Sequence, residues 1–539
     1  MIKNIVGPRW FACGPSLSRL CSVSWRSRRG RPSPTTPSSP PTADSYLART
    51  FQVWPQVRTA FLLSAYPLVQ LLIRLATSGA LEHDEAEQLV VTQSLALGYE
   101  AAAAQPPLYT WLQVLFFKVF GMCVFALAAL RALLQIVTQV ALFRTAHLIL
   151  GDRTLALLAA LSLWLIPQFS VESMGKTHSV LVTCLAALFL HALVLVWMSG
   201  GLGAYVWLGA LLGFGVLAKY NFAIFAAALL VAALSVPPLR RRLADRRLGL
   251  AFIVAVLIVA PHLSWVLDHL TLAATQIGDR LDVRPQTRWS LRSALHSFLR
   301  FAETPLGYLP PVALHLAVFG RPREAISSAA ASAAHLIERC WLLGLVIFTI
   351  AVVVFVMPRF YEHWLQPFLF MLPVYMFLRR PSASAERRGR AVFTAVVGAA
   401  LLLFAGWRLI EPWAGHHFGA YSRLNAPYPE LGRSIAETGF RDGVIVTDHH
   451  VVGGNLRFVL QDAKVILPRM ADAGAVVPPG PCLVVWDARR QPAIPPGLAD
   501  WVETSGWAVP PVRHVESRGR RAARAPLKLG FILLSSCRR

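Results

Sequence analysis

Apolar residues run through this chain in blocks of the length that a bilayer demands. Such blocks cover residues 57–77, 122–149, 154–171, 179–198, 203–219, 221–238, 249–267, 305–320, 340–357, 364–378 and 391–410. A helix that crosses the hydrocarbon needs roughly 17–25 apolar residues, so the pattern predicts an α-helical polytopic membrane protein with about eleven transmembrane helices. The block 108–120 is too short to span comfortably. With Tyr109, Trp111 and Lys118 it reads as an interfacial helix. After Ile410 the pattern changes to short β-type runs (443–446, 464–467, 482–486) between polar, Pro- and Gly-rich connections, with a helix expected over 429–438. The last apolar run, 527–534, fits a further strand. Residues 411–539 therefore read as a small α/β domain.

Composition agrees: 55% of the 539 residues are hydrophobic and 15% charged, with a mean hydropathy of +0.52. The formal charge of +24 would suggest nucleic acid in a soluble protein. Here the arginines gather in short loops between apolar blocks, as topology signals do, and nucleic acid is excluded as a partner. Alternate loops are basic: 144–153, 240–247, 321–339 and 379–390. The loop 268–303 is an exception, with Arg280, Arg284, Arg288, Arg292 and Arg300. The alternation places the amino end inside and the carboxyl end outside. Residues 1–56 are rich in Arg, Ser and Pro. They read as a disordered basic cytoplasmic tail, although an acid-poor, Arg-rich start also resembles a transit peptide. Seven cysteines show no metal-ligand spacing. Cys482 and Cys537 could pair in an oxidising compartment.

The informative reversal of charge lies between the first two blocks. Residues 82–100 carry Glu82, Asp84, Glu85, Glu87 and Glu100 and no Lys or Arg. A carboxylate costs about 2.5–3.5 kcal/mol at a span's centre, so these groups face water or a cavity beside the lipid. Asp84-Glu85, then Gly98-Tyr99, Gln105-Pro106-Pro107-Leu108 and Phe120-Gly121, in this order directly after the first block, resemble the start of glycosyltransferase family 39. That family contains the protein O-mannosyltransferases and is similar to the lipid A aminoarabinose transferases. The resemblance covers about residues 57–380. It implies a GT-C membrane domain over 57–410 with a catalytic first outer loop, 78–121. It also implies a donor sugar on a polyprenyl phosphate and a glycan, lipid or protein acceptor, joined by inverting displacement without a covalent enzyme intermediate. The implied location is a bacterial inner membrane with the site facing the periplasm.

Transfer of this kind needs a group to orient or deprotonate the acceptor and cationic or metal stabilisation of the phosphate leaving group. Asp84 matches the family's leading acidic residue and is the candidate for the acceptor; as a plain sequence feature it is an acidic helix start. Glu85 is the second candidate, orienting Asp84 or binding a cation, and Glu87 reads as a solvated face. Pro106 and Pro107 fix the backbone and begin a helix. Tyr109 and Trp111 read as interface anchors or sugar-stacking rings. Lys219-Tyr220-Asn221 ends a block at the outer face, where Lys219 either snorkels to headgroups or contacts the carrier phosphate, and the family commonly has a Lys-Tyr pair there. Arg359, Tyr361, His363 and Trp364 resemble the family's late basic-aromatic segment, Arg359 offering a planar two-toothed fork for phosphate. One departure stands out. Where the family commonly has a Thr-x-Asp-like acid, this chain has Lys176-Thr177-His178-Ser179, so His178 either substitutes for that acid or marks a different acceptor. No cofactor is fixed by these residues, and a divalent cation is left open. Asp448-His449-His450 invites a metal reading, but adjacent residues on a strand point to opposite faces, which predicts that the two imidazoles do not converge. The rival class is a transporter or flippase for lipid-linked or small polar substrates. It predicts mid-bilayer charges and two related halves, and neither is visible. A non-catalytic scaffold for the outer domain is the third.

Overall fold

The computed structural model describes residues 43–98, 105–281, 289–320, 324–325, 327–357, 359–380, 383–418, 422–472, 476–518 and 526–537. Tyr99 and Glu100, Arg284, Arg288, Arg321, Arg323 and the Pro/Ser/Thr tract 32–42 lie outside the described residues. The chain divides into two units, Met1–Pro55 and Gln56–Arg539. In the first, residues 43–55 are helical.

The second unit is built on apolar helices. Among the described residues, six are long and apolar enough to cross a membrane: α1 (Gln56–Thr77), then Val124–Leu150, His178–Ser199, Arg247–Asp268, Ser328–Val354 and Arg388–Ala414. A bent pair, Asn221–Leu234 and Pro237–Leu243 at 112°, makes a seventh if it is one span. Each of the eleven apolar blocks holds helix, but Arg153–Leu165, Leu202–Ala218, Pro310–Phe319 and Gln366–Phe377 are short. Pro310-Pro311 and Pro373 begin their helices rather than interrupt them. Many apolar side chains on the long helices are exposed, among them Leu257, Ile350 and Leu402, as lipid-facing surfaces require.

Between α1 and the next span, the chain forms α2 (His83–Val91) and α3 (Leu108–Phe120). The Pro pair does start α3: Pro107 C=O accepts from Trp111 N–H at 3.0 Å. Gly98 is required by close packing, because a Cβ there would meet the Trp265 ring at 1.9 Å.

The carboxyl-terminal region carries a five-stranded sheet: β1 (Gly443–Val446), β2 (Ala463–Ile466), β3 (Cys482–Asp487), β4 (Arg513–Ser517) and β5 (Leu527–Leu534). The spatial order is β2-β1-β3-β5-β4. β1 pairs parallel with β2 and β3, while β5 is antiparallel to β3 and β4. Val444, Ile445, Val484, Trp486 and Phe531 form its core with Leu431 and Ile435 of the helix Tyr428–Glu437. Cys482 and Cys537 form a disulfide, which suits an oxidising compartment.

This region lies directly on α2 through the helix His450–Val459. Gly454 is the reason they can approach: a Cβ there would stand 2.1 Å from Ala86 O. Asn455 Oδ1 accepts from Leu81 N–H at 2.8 Å, and Arg457 donates to Leu89 C=O. Gln93 pairs with the Val465 backbone, donating to its C=O at 2.8 Å and accepting its N–H at 2.7 Å. The two segments thus pack directly on each other, and they are expected on one side of the membrane. Cysteines placed at the exposed Leu95 and Val476, in a variant lacking Cys123, are expected to react with an impermeant maleimide from outside the intact cell. Arg241→Cys, at an exposed position in the last turn of the basic helix Pro237–Leu243, is expected to react only after permeabilisation. Protection of Leu95→Cys and Val476→Cys together, with reaction of Arg241→Cys, would invert this topology.

Candidate active site

Glu85 anchors the loop. Its side chain is fully buried between Arg74, at the last turn of α1, and Arg131, on the helix Val124–Leu150. Arg74 meets it two-fold, Nη2 to Oε2 at 2.8 Å and Nε to Oε1 at 3.1 Å. Arg131 Nη2 reaches Oε1 at 2.7 Å, and Oε2 also accepts from Glu82 N–H at 3.0 Å. Burial works against ionisation here, but the two guanidinium charges outweigh it and hold the carboxyl below its usual range. Arg74 also donates to the carbonyls of Ser78 and Ala80 at 2.7 and 2.8 Å. With both oxygens engaged, Glu85 clamps α2 between two helices and offers nothing to a cation. Glu87 is likewise no solvated face: it is 4% exposed, because α2 is covered on several sides.

Asp84, one residue earlier, points elsewhere. Its Oδ2 accepts from Thr177 N–H at 3.1 Å and from the Thr177 hydroxyl at 3.3 Å, at the amino end of the helix His178–Ser199. An anion there is favoured by the helix's unpaired N–H groups and dipole. Its Oδ1 lies 3.4 Å from His83 Nδ1, and the side chain stays 23% exposed. Burial opposes the charge, but the His83 hydrogen bond, the Lys176 charge and Thr177 together hold the carboxyl well below the usual range.

The departing motif Lys176-Thr177-His178-Ser179 is therefore the segment folded against Asp84. His178 Nδ1 faces Ala218 C=O at 3.3 Å, so that nitrogen is the donor. Nε2 is left to accept from Gln88 Nε2 at 3.5 Å, and Gln88 Oε1 accepts from the Thr110 hydroxyl at 3.2 Å. Lys219 does not snorkel. It is 7% exposed and donates to Ser179 Oγ at 3.1 Å. Asp84, His178 and Lys219 thus meet around three consecutive residues, beside a pocket lined in part by Lys176, Ser179, Gln135 and Gln168.

Tyr109 is not an interface anchor. It is fully buried, its ring 5.3 Å from that of His178, and its hydroxyl lacks a hydrogen-bond partner among the described residues. Trp111 is half-buried and donates to Ala96 C=O at 2.9 Å. Pro106 and Pro107 are buried at the start of α3. Tyr220 lies 2.9 Å from His262 Nε2, whose Nδ1 faces Leu97 C=O at 2.7 Å, tying the lysine segment to the connection between α2 and α3. Asn221 donates to Trp364 C=O at 3.1 Å, which brings the late aromatic segment beside it. There Arg359 and Tyr361 are exposed, and Tyr361 and His363 stack at 5.5 Å.

Sequence reasoning passed over Arg74 and Arg131. An arginine inside an apolar block is expensive unless paired, and that alone marked both. It also misjudged His449 and His450. The strand ends at Val446 and a helix begins at His450, so the alternation of a strand does not apply. Their rings lie 4.7 Å apart and converge on His83.

The family model described as "Dolichyl-phosphate-mannose-protein mannosyltransferase" matches residues 104–265. The chain is 34% identical to the lipopolysaccharide core galacturonosyltransferase RgtB of Rhizobium johnstonii, over 82% of this chain and 90% of the relative. It is 29% identical to RgtA of the same organism, over 80% and 87%. In fold it is similar to ArnT from Cupriavidus metallidurans. The undecaprenyl-phosphate-bound structure matches with a TM-score of 0.56 at 15% identity over 87% of this chain and 97% of that one. The apo structure matches at 0.58 and 16% identity over 90% and 98%. Apolar helices enclosing a loop-borne, partly charged site, with these relatives, define a membrane glycosyltransferase rather than a transporter or flippase. The chain belongs to the GT-C glycosyltransferase family.

Proposed function

We propose that the protein moves a sugar, a hexuronic acid by its likeness to RgtB, from a polyprenyl-phosphate carrier to a glycan acceptor of the lipopolysaccharide core kind. The reading places about eleven spans over 57–410 in a bacterial inner membrane, with loop 78–121 and an α/β domain of residues 411–539 facing the periplasm. The observation that carries it is the meeting of Asp84, His178 and Lys219 at one helix start, beside the pocket that Lys176 and Ser179 help to line. In the reaction the acceptor hydroxyl oxygen attacks the anomeric carbon and the bond from that carbon to the phosphate oxygen breaks, with inversion. The polyprenyl phosphate leaves with the bonding pair, and the hydroxyl proton passes to Asp84 or, through it, to solvent. A carboxyl held so acidic is a weak proton acceptor at rest, so Asp84 acts first by accepting the hydroxyl's hydrogen bond and aiming its oxygen. Lys219 and Arg359 supply positive charge for the phosphate, and Lys176 and Lys219 suit a sugar carboxylate. Glu85 is a positioning residue.

The test has two parts. The product's anomeric configuration is expected to be opposite to the donor's, and retention would overturn the displacement. Lys219→Ala and Arg359→Ala are each expected to weaken binding of undecaprenyl phosphate by roughly ten- to a hundredfold, the size of one charged hydrogen bond of about 1.5–3 kcal/mol. Unchanged affinity in both would remove them from the phosphate site.

A further inference from the structure

The three imidazoles of His83, His449 and His450 stand apart from the constellation above, on the join between α2 and the carboxyl-terminal α/β region. Each can offer one ring nitrogen such that all three lie within 4.8 Å of one another. His450 Nε2 is 3.0 Å from His83 Nε2, and the His83 and His450 rings meet edge-on at 4.3 Å. A tetrahedral ion with metal–nitrogen bonds of about 2.0–2.1 Å holds its nitrogens about 3.3 Å apart, inside the range found here. We propose that these three histidines bind one borderline divalent transition-metal ion of the zinc class, which fastens the α/β region to the loop that carries Asp84.

Four features of the site support this. The donors sit on fixed elements: His83 is the first residue of α2, His449 caps the helix His450–Val459, and His450 opens it. Their approach is set by backbone packing at Gly454 against Ala86, independently of the rings. His83 Nδ1 is 3.4 Å from Asp84 Oδ1, the outer carboxylate that a metal-binding histidine commonly has, which aims Nε2 at the ion and favours the ligating tautomer. All-imidazole donors select zinc, nickel or copper over magnesium or calcium, which want oxygen. One bond must be exchanged. His449 Nδ1 accepts from Val451 N–H at 3.2 Å, and a ligating neutral ring either uses that nitrogen for the ion or carries its proton there.

The site leaves a fourth position for water, as three-histidine zinc sites do. Its link to the chemistry runs through Asp84: the ion would hold His83, and His83 in turn holds the carboxylate. The three-histidine site depends on the fold alone, and metal content and melting, rather than transfer, report on it.

The full-length protein is purified through a tag without histidine, stripped with chelator and titrated with zinc or cobalt alone. Expected are about one ion per chain by elemental analysis, visible absorption bands of low-symmetry cobalt, and a melting temperature that rises with free zinc. His83→Gln, His449→Gln and His450→Gln are each expected to lose the bands and the zinc-dependent rise. His417→Gln is the control and is expected to keep them. Should a variant fail to fold, wild type with and without chelator decides by its own melting shift and ion count. A wild type that binds no more zinc than the triple variant, or melts alike with and without it, overturns the proposal.

Discussion

Glu85→Gln is expected to destabilise the protein by about 3–5 kcal/mol, the range for breaking a buried ion pair by removing one partner. Glu85 is fully buried, and Arg74 and Arg131 are 1% and 5% exposed. Its loss leaves two guanidinium groups in the interior facing an amide that can satisfy neither fully, and Arg131 Nη1 already lacks a partner among the described residues. The helices α1 and Val124–Leu150 then lose the contact that fixes α2. The comparison is Glu303→Gln, in an exposed pair with Arg300 at 3.9 Å, where about 0–1 kcal/mol is at stake. Thermal melting of both variants in the same detergent reads the difference. If Glu85→Gln melts like Glu303→Gln, the triad does not hold the loop.

Asp84→Asn is expected to lower turnover by about 10²- to 10⁴-fold, the usual size of a lost acid–base partner, while the protein stays folded. Asparagine keeps an oxygen that can accept from Thr177, so the start of the helix His178–Ser199 keeps that hydrogen bond. The loss should fall on kcat and on kcat/KM alike, because the interaction matures in the transition state. The pH dependence carries a definite sign. The folded carboxyl lies below its unfolded value of about 3.9, so the stability it contributes is present above that pH and fades as acid protonates the folded form. Asp84→Asn should therefore lose less stability than wild type on acidification. A variant with full turnover removes Asp84 from the chemistry, and one that no longer accumulates assigns it to the fold.

The sequence made the helices and strands legible because both signals are periodic. Apolar blocks mark where the chain must leave water, and the β-type runs after Ile410 fell where β1, β2, β3 and β5 stand. Asp84, His178 and Lys219 could be chosen singly, from charge pattern and resemblance, but not as neighbours. Their meeting depends on how three helix ends pack, and no local pattern encodes that. Burial was the harder quantity. Glu87, Tyr109 and Lys219 looked like surface groups because each sits beside a loop, yet α2 is roofed by the α/β region more than 350 residues later, for example by Asn455 on Leu81. The histidine pair at 449–450 failed for a related reason. Whether two adjacent side chains diverge depends on where a strand stops, and boundaries are the least legible part of a sequence.

A lipid-linked phosphate is the expected source of the sugar. The most direct measurement mixes purified wild type with a panel of radiolabelled undecaprenyl-phosphate sugars, uronic acids included, and the matching nucleotide sugars, with lipopolysaccharide core as acceptor. Label is expected in the acceptor from at least one lipid-linked donor and from none of the nucleotide sugars, with free undecaprenyl phosphate released in equal amount. Label arriving from a nucleotide sugar instead would contradict the claim.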